Sequence, residues 1–263
     1  IQEVVTLSYE NDRNIFEKIK ELVPNVITVA AGLLITGWGP EMLRQNPAID
    51  LGFTFEWEFT ALETAKKIRN KEDIKGTHGI FHRTGGKVVE EPRRPSPDLD
   101  SLPWPARERL PMLRYNDDFA FLPVPNLQMF SSRGCPFKCS FCVWINARYG
   151  NNQVRFRSPE NVVEEIKWCL KTWPFKAVYF DDDTFNIKKS YVLRLCEEME
   201  RQNLKIPWAA MCRADLFDRE TLKICRKTGL FAVKYFMESI KNLILRKPRK
   251  LFPLPENKES RFI

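Results

Sequence analysis

The chain has 263 residues, 43% of them hydrophobic and 29% charged, a balance typical of a globular protein with one or two domains. It has no apolar run near the roughly 18 residues that a membrane-spanning helix needs, so we do not expect it to cross a membrane. The formal net charge is +8, but the basic residues are scattered, which disfavours binding to nucleic acid. The seven cysteines are an odd number in a long chain, which favours metal ligation in a reducing cytoplasm over disulfides.

Residues 1–91 alternate short apolar runs with helical patterns, which predicts an α/β domain with a parallel sheet. The first predicted helix is capped by Asp12, and four of its apolar residues fall at helical spacing: Ile15, Phe16, Ile19 and Leu22. A hairpin is predicted over residues 74–91, with its turn at residues 84–86. It contains both histidines, His78 and His82, which on one strand lie about 13 Å apart, too far to share a metal. The remaining predicted elements are strands at 4–7, 26–29 and 49–53 and helices at 40–45 and 59–68.

Residues 92–125 are predicted to form a linker, because six prolines between Pro92 and Pro111 break regular structure and stiffen the chain. After it, residues 126–240 show four strand-then-helix steps. The predicted caps here are Ser158, followed by Pro159 at the first helical position, and Asp218. Residues 241–263 form a basic, proline-containing tail. Polar groups follow each of the four strands, and in a parallel β/α barrel such positions share one rim.

Three cysteines, Cys135, Cys139 and Cys142, follow the first of these strands and a turn. Three thiolates on one loop can hold three corners of a cuboidal iron–sulfur cluster and leave the fourth iron open. Structural zinc would need a fourth ligand, and zinc or a chance group of thiols is the alternative. Cys169, Cys196 and Cys225 are predicted to be buried, inert thiols, and Cys212 is predicted to lie near the rim.

This cysteine pattern resembles the signature of the radical S-adenosylmethionine (SAM) enzymes, CxxxCxxC with an aromatic residue before the last cysteine, here Phe141. The resemblance implies that the three cysteines bind a 4Fe–4S cluster and that Phe141 packs beside the adenine of SAM. It implies reductive cleavage of SAM to a 5′-deoxyadenosyl radical that attacks a small-molecule substrate. An electron donor such as flavodoxin or ferredoxin is then the expected protein partner.

The same resemblance extends to polar residues after the later strands. Asp182 or Asp183 is expected to bind the ammonium group of SAM, and an acidic capping turn is the alternative. Arg213 is expected to pair with the carboxylate of SAM, and an internal salt bridge is the alternative. Glu238 and Ser239 are expected to contact the ribose or methionine part, although Phe236 replaces the glycine of that motif.

Residues 46–58 and 99–107 resemble passages of the cobalamin-associated subfamily, "NPxxD…GEGE" and "DLDxLPxPAR", but both glycines of the former are replaced. The fold class expected is therefore α/β, with a partial (β/α) radical-SAM barrel preceded by a partial Rossmann-like, cobalamin-binding-like domain. The resemblance also suggests truncation at both ends and leaves cobalamin binding open. Two rival functions remain: a non-catalytic fragment that binds the cluster and SAM, and a zinc-dependent nucleic-acid binder.

Overall fold

The computed structural model describes residues 1–4, 8–115, 121–139 and 142–235, which form two compact units. Unit 1 comprises Ile1–Pro97 and Cys142–Asn152, and unit 2 comprises the remainder of the chain. The division between Pro97 and Asp98 falls inside the predicted linker. The segment that follows the third loop cysteine groups with unit 1, although the sequence placed it in the second domain.

Unit 1 is built on a five-stranded sheet in the order β1-β2-β3-β4-β5. The first three strands are parallel, and β4 and β5 add the predicted antiparallel hairpin. The strands are β1 (Gln2–Glu3), β2 (Val29–Ala31), β3 (Leu51–Phe53), β4 (Ile80–Thr84) and β5 (Lys87–Glu90), and the helices are α1 (Tyr9–Leu22), α2 (Leu33–Gln45) and α3 (Glu58–Arg69). The predicted strand at 4–7 falls mostly outside the described residues.

The first helix begins before its predicted cap, Asp12. Asp12 lies inside α1, is 2% exposed and accepts hydrogen bonds from Gln2 Nε2 at 3.0 Å and Ser8 Oγ at 2.5 Å. Of the four apolar residues at helical spacing only Phe16 is buried, one turn after Asp12, and the other three are 36%, 37% and 71% exposed. The predicted cap at Asp12 is wrong, because α1 begins before it and the buried Asp12 carboxylate is satisfied by two side-chain donors instead of by helix N–H groups.

Helix α2 starts seven residues before the predicted beginning at Pro40. Glycine and proline lower helix propensity, which is why the sequence alone predicted too late a start for this helix. Burial of Ile35, Met42 and Leu43 in the unit 1 core stabilises the longer helix. In the hairpin, His82 is 3% exposed and its Nε2 lies 2.9 Å from Glu91 Oε1, so it packs against a carboxylate.

Unit 2 is built on a four-stranded parallel sheet in the order β11-β10-β9-β6. Its strands alternate with helices that bury apolar side chains against one face of the sheet. The strands are β6 (Asn126–Met129), β9 (Ala177–Phe180), β10 (Trp208–Cys212) and β11 (Leu230–Tyr235), and the helices are α4 (Pro159–Thr172), α5 (Lys189–Arg201) and α6 (Arg219–Lys227). A short antiparallel pair, β7 (Ser132–Arg133) and β8 (Arg155–Phe156), flanks the sheet. No helix in the described part of the chain is long and apolar enough to span a membrane.

Both predicted caps in unit 2 are confirmed. Ser158 Oγ accepts the backbone N–H of Asn161 at 3.2 Å at the start of α4. Asp218 Oδ1 accepts the backbone N–H of Thr221 at 2.8 Å at the start of α6. Each cap satisfies a helix N–H group that has no intrahelical partner.

The second half of the proline-rich stretch packs onto α4. Arg107 donates two hydrogen bonds to Glu165 Oε1, at 2.8 and 3.2 Å, and Glu165 is fully buried. Arg157 Nη1 lies 2.6 Å from the other oxygen of Glu165. The ring of Trp104 lies against Trp168, with centroids 5.8 Å apart. The Arg107 ion pair and the Trp104 ring contact therefore fix this part of the chain on α4.

Candidate functional site

Polar segments follow the carboxyl ends of three described strands in unit 2. The cysteine loop begins after β6, Asp181 to Thr184 follow β9, and Arg213 follows β10. Carboxyl ends of parallel strands meet at one edge of a sheet. Hydrogen bonds and ring contacts between these segments show that they are brought together, as the sequence predicted.

The residue before the first cysteine is a glycine for a steric reason. Gly134 has φ +96°, and a Cβ atom there would lie 2.0 Å from the carbonyl oxygen of Gln153. Its N–H donates to Asp183 Oδ2 at 2.8 Å. The start of the cysteine loop is thus fixed on one side by the backbone and on the other by a carboxylate from the next strand of the sheet.

Cys135 is partly buried, and its Sγ lies 3.7 Å from Thr184 Oγ1. Burial raises the pKa of the Cys135 thiol and the negative charge of Asp183 adds to the rise, while hydrogen bonds from Phe137 N–H and Thr184 oppose it. A thiol with a raised pKa keeps its proton at neutral pH, so metal binding must release that proton.

Asp182 is enclosed by the protein and joins the ends of β6 and β9. It is 1% exposed and accepts hydrogen bonds from Ser131 N–H at 3.2 Å, Ser131 Oγ at 2.9 Å and Ser132 Oγ at 2.5 Å. Burial raises its pKa to about 6, and the hydrogen bonds offset only part of that rise. The structure therefore turns Asp182, one of the two carboxylates predicted for the SAM ammonium, toward protein donors.

Arg213 forms the internal salt bridge that was the alternative to pairing with the carboxylate of SAM. Its Nε and Nη2 lie 3.0 and 2.8 Å from the two oxygens of Asp215, and its Cζ lies 3.8 Å from the ring centre of Phe137 in the cysteine loop. The hydrogen bond with Asp215 raises the pKa of Arg213, and the Cys139 and Cys135 thiols add to the rise. A cation thus contacts the cysteine loop at Phe137, between the first two cysteines in sequence.

The third cysteine begins the segment that groups with unit 1. Arg93 donates to the backbone carbonyls of Tyr149 and Gly150, and Arg148 Nη1 lies 2.8 Å from Glu3 Oε1. These contacts hold the chain that follows Cys142. Phe141, Glu238 and Ser239, which the resemblance assigned to SAM, lie outside the described residues.

The donor chemistry of the loop fits an iron–sulfur cluster. Three thiols at offsets of four and three are soft ligands that such clusters prefer, and the Arg213 cation offsets negative thiolate charge. Within the described ranges no three His, Cys, Asp or Glu side chains are close enough to hold one metal ion. The fit therefore rests on the three thiol donors and their spacing in the sequence, and not on a three-ligand site that is already assembled.

The four other cysteines are buried away from solvent. Cys196 Sγ and Cys225 Sγ lie 3.8 Å apart between α5 and α6. Burial raises the pKa of Cys169 to about 11, and burial and the nearby Asp182 raise the pKa of Cys212. The prediction of buried thiols is confirmed for Cys169, Cys196 and Cys225. Cys212, predicted near the rim, is 5% exposed.

In unit 1, the passage that resembles the cobalamin subfamily is held by internal contacts. Asn46 Oδ1 accepts the N–H of Ala48 at 2.9 Å, and Asp50 Oδ2 accepts the N–H of Thr28 at 2.7 Å. Lys20 Nζ lies 2.7 Å from the same Asp50 oxygen. Asn46 and Asp50 thus stabilise the chain between α2 and β3.

At one position of that passage, Phe55 replaces a glycine but keeps a backbone conformation that glycine favours. Phe55, just before Glu56, has φ +54°, a conformation that costs a bulky L-residue about 1–2 kcal/mol. Its ring centre lies 4.1 Å from Arg93 Cζ, a cation–π contact that offsets part of that cost. The backbone shape that the glycine would allow is retained although the residue is not.

Three hydroxyl residues at the site were missed by the sequence interpretation: Ser131, Ser132 and Thr184. They follow the two strand ends directly, as the cysteine loop and the aspartates do. Position after a buried strand was therefore the available signal. That signal holds for hydroxyl residues as well as for cysteines and charged residues.

A parallel β/α sheet whose first strand leads into a three-cysteine loop defines a cluster-binding β/α domain. The model of the radical SAM superfamily matches residues 129–252. The match covers β9 to β11 and the cysteine loop.

Curated relatives and solved structures extend the similarity into unit 1. The chain is 32% identical over 228 residues to an uncharacterized methyltransferase of Pyrococcus horikoshii, covering 86% of this chain and 48% of that protein. It is 28% identical over 258 residues to an anaerobic magnesium-protoporphyrin IX monomethyl ester cyclase of Rubrivivax gelatinosus, covering 92% of this chain and 44% of the cyclase. The chain thus spans about half the length of these relatives.

Among solved structures, the radical SAM methyltransferase TsrM of Kitasatospora setae matches with a TM-score of 0.72 at 18% identity, over 90% of this chain and 46% of TsrM. The cobalamin-dependent radical SAM enzyme OxsB matches with a TM-score of 0.73 at 17% identity, over 92% of this chain and 36% of OxsB. These likenesses establish the fold, which is the α/β class that the sequence predicted.

Proposed function

We propose that the protein is a radical SAM enzyme that holds a 4Fe–4S cluster on Cys135, Cys139 and Cys142 and cleaves SAM reductively. The anchored cysteine loop carries this proposal. Its first cysteine is fixed through Gly134 by Asp183, and the Arg213 cation contacts Phe137 in the same loop. When bound, the reduced cluster supplies the electron that splits SAM into methionine and a 5′-deoxyadenosyl radical.

The chain's own residues would bind and orient SAM at this edge. Of the two carboxylates considered for its ammonium group we retain Asp183, because Asp182 is enclosed by serine donors. Arg213 has five N–H donors and would share its guanidinium between Asp215 and the SAM carboxylate. The resemblance assigns Phe141 to the adenine, and Glu238 and Ser239 to the ribose or methionine part.

The downstream reaction is proposed as a class, from the relatives. They include methyltransferases and cyclases by name, so methyl transfer, methylthiolation or rearrangement of a small molecule is the expected outcome. The electron would come from a flavodoxin or ferredoxin in a reducing cytoplasm.

We further propose that unit 1 is the cobalamin-associated part of the protein. The retained backbone at Phe55 and relatives described as cobalamin-dependent support this. Hydroxocobalamin mixed with the chain and passed through gel filtration should co-elute, with its absorption bands in the protein peak. Elution of the corrinoid entirely in the small-molecule fraction would remove cobalamin from the proposal.

The decisive test is SAM cleavage by the reconstituted protein. The chain is loaded anaerobically with iron and sulfide, reduced with dithionite and assayed for 5′-deoxyadenosine, with Cys139→Ala as the control. Cluster-dependent product is expected. A cluster that forms without cleavage would favour the rival function, a non-catalytic fragment. Zinc in place of iron would overturn the proposal.

A further inference from the structure

Two consecutive residues after β9 contact the start of the cysteine loop. We propose that Asp183 and Thr184 form a clamp on the first cluster cysteine, in which Asp183 fixes the loop backbone and the Thr184 hydroxyl hydrogen-bonds the Cys135 sulfur and raises the reduction potential of the cluster. The inference rests on the proposed function, because it concerns the same loop. It adds a tuning residue that no cysteine motif contains.

The backbone half of the clamp is a hydrogen bond to a residue that must be glycine. Asp183 Oδ2 accepts the N–H of Gly134 at 2.8 Å. Gly134 has little freedom to move, since the carbonyl oxygen of Gln153 already occupies the space of its missing side chain. Cys135 is the next residue, so this hydrogen bond positions the first thiol.

The side-chain half is the contact of 3.7 Å between Thr184 Oγ1 and Cys135 Sγ. Thr184 is 5% exposed, so little water competes for the sulfur at this point. The same hydroxyl donates to the carbonyl oxygen of Asp183 at 2.6 Å. A threonine hydroxyl has one proton and two lone pairs, so in the thiol form Cys135 donates to Thr184 while Thr184 donates to the carbonyl.

Iron binding reverses the direction of this hydrogen bond. Ligation removes the proton from the Cys135 sulfur, which then has only lone pairs to offer. A thiolate sulfur carries negative charge and competes well for a donor, so the Thr184 hydroxyl turns its proton from the carbonyl to the sulfur. No atom has to move far, because the oxygen already lies within hydrogen-bonding distance of sulfur.

The residues that precede the clamp are hydrogen-bonded to the end of β6. The N–H of Asp181 donates to the carbonyl of Met129 at 2.9 Å, which continues the pairing of β6 with β9. Asp182 then binds both serines at the end of β6. The two residues before the clamp are therefore fixed to the end of the strand from which the cysteine loop departs.

A hydrogen bond to a cluster sulfur favours the reduced cluster, because reduction adds negative charge to the iron–sulfur core. Hydrogen bonds to the sulfurs are among the factors that set cluster potentials. Since cleavage of SAM requires the reduced cluster, the Thr184 hydroxyl would make the proposed reaction easier to drive with a weak donor.

The test compares Thr184→Val with Thr184→Ser in the full, anaerobically reconstituted chain. Valine keeps the branched shape and removes the hydroxyl, whereas serine keeps the hydroxyl. Midpoint potentials are measured by redox titration followed by electron paramagnetic resonance. We expect a more negative potential for Thr184→Val and a potential near wild type for Thr184→Ser. Equal potentials in all three proteins would overturn the sulfur half of the clamp.

The matched control is Thr228→Val. Thr228 Oγ1 lies 3.4 Å from Cys196 Sγ, which is a similar threonine–thiol contact on two buried residues outside the loop. We expect no change in cluster potential there. An equal shift in Thr228→Val and Thr184→Val would show a general effect of weakened packing and would also overturn the proposal.

The hydrogen bond from the Gly134 N–H to Asp183, which is the backbone half of the clamp, is tested by the iron content of the reconstituted chain. Asp183→Ala removes the acceptor of the Gly134 N–H, whereas Asp183→Asn retains an acceptor oxygen. We expect fewer iron atoms per chain for the alanine variant and near wild-type loading for asparagine. Full loading and an unchanged spectrum in Asp183→Ala would refute this half. If wild type itself forms no cluster, the proposed function fails together with the clamp, whereas a normal cluster with unmoved potentials refutes the clamp alone.

Discussion

Replacing Asp182 with asparagine should remove a pH dependence of stability that the wild-type chain carries. Asp182 is 1% exposed and its three hydrogen bonds come from neutral donors at 2.5 to 3.2 Å. Moving a carboxylate out of water disfavours its charged form. Burial therefore raises the pKa of Asp182 from 3.8 to about 6, and the hydrogen bonds only reduce that rise.

The sign and size of the Asp182 contribution to the free energy of unfolding follow from its pKa values in the folded and unfolded chain. Because the folded pKa exceeds the unfolded one, the stability contributed by protonated Asp182 is fully present below about pH 3.8 and is lost as the pH rises through about 6. Each pKa unit corresponds to about 1.4 kcal/mol, so the shift amounts to about 3 kcal/mol. Of this, about 2 kcal/mol falls between pH 4.5 and pH 7.5. Asparagine has the same size, keeps one acceptor oxygen and does not titrate.

The assay is urea unfolding of wild type and Asp182→Asn, followed by tryptophan fluorescence under reducing conditions between pH 4.5 and pH 7.5. Taking the difference between the two proteins cancels the titration of the other carboxylates. We expect the free energy of unfolding of wild type, relative to the variant, to fall by about 2 kcal/mol as the pH rises across that range. A constant difference would mean that Asp182 is ionised throughout, and the argument from burial would then be refuted.

Three further predictions concern the loop, the linker contact and the thiols. Gly134→Ala should lower the free energy of unfolding by at least about 1–2 kcal/mol and reduce iron loading, because its Cβ would lie 2.0 Å from a backbone oxygen; wild-type iron content and stability would contradict this. Glu165→Gln should cost about 3–5 kcal/mol in urea unfolding, because two arginines face its fully buried carboxylate, whereas Glu164→Gln on the same helix should change little. Iodoacetamide should modify the three loop cysteines of the native, cluster-free chain before the four buried ones, as read by peptide mass spectrometry; uniform labelling would argue against the burial described here.

The unit 2 fold could be predicted from sequence because its signals are local. Strands β6 and β9 to β11 are short apolar runs, and the caps at Ser158 and Asp218 mark their helices. The face of α1 could not be predicted, since Asp12 is buried through donors from Gln2 and Ser8. A helical periodicity contains no information about a carboxylate whose partners lie in a neighbouring strand or at the helix start.

The candidate site likewise has features that are local in sequence and could be predicted, and contacts between distant residues that could not. The spacing of the cysteines identified the loop because its chemistry depends on residues within eight positions of one another. The partners of Asp182 could not be identified from that spacing, because Ser131 and Ser132 lie about 50 positions away in sequence. Likewise, Thr184 has no motif of its own, and its relevance comes only from its distance to a sulfur.

Strand register explains why Asp182 and Asp183, which the sequence treated as interchangeable, have different environments. In the pairing of β6 with β9, Met129 lies opposite Phe180. Two residues beyond each partner are Ser131 and Asp182, so their hydrogen bonds continue the pairing of the two strands past the sheet. Consecutive residues of extended chain point to opposite sides, so Asp183 is turned away from the serines and toward the N–H before the first cysteine. A register shift by one residue would exchange the two environments, and the loop would then be anchored by the carboxylate that now holds the strands together.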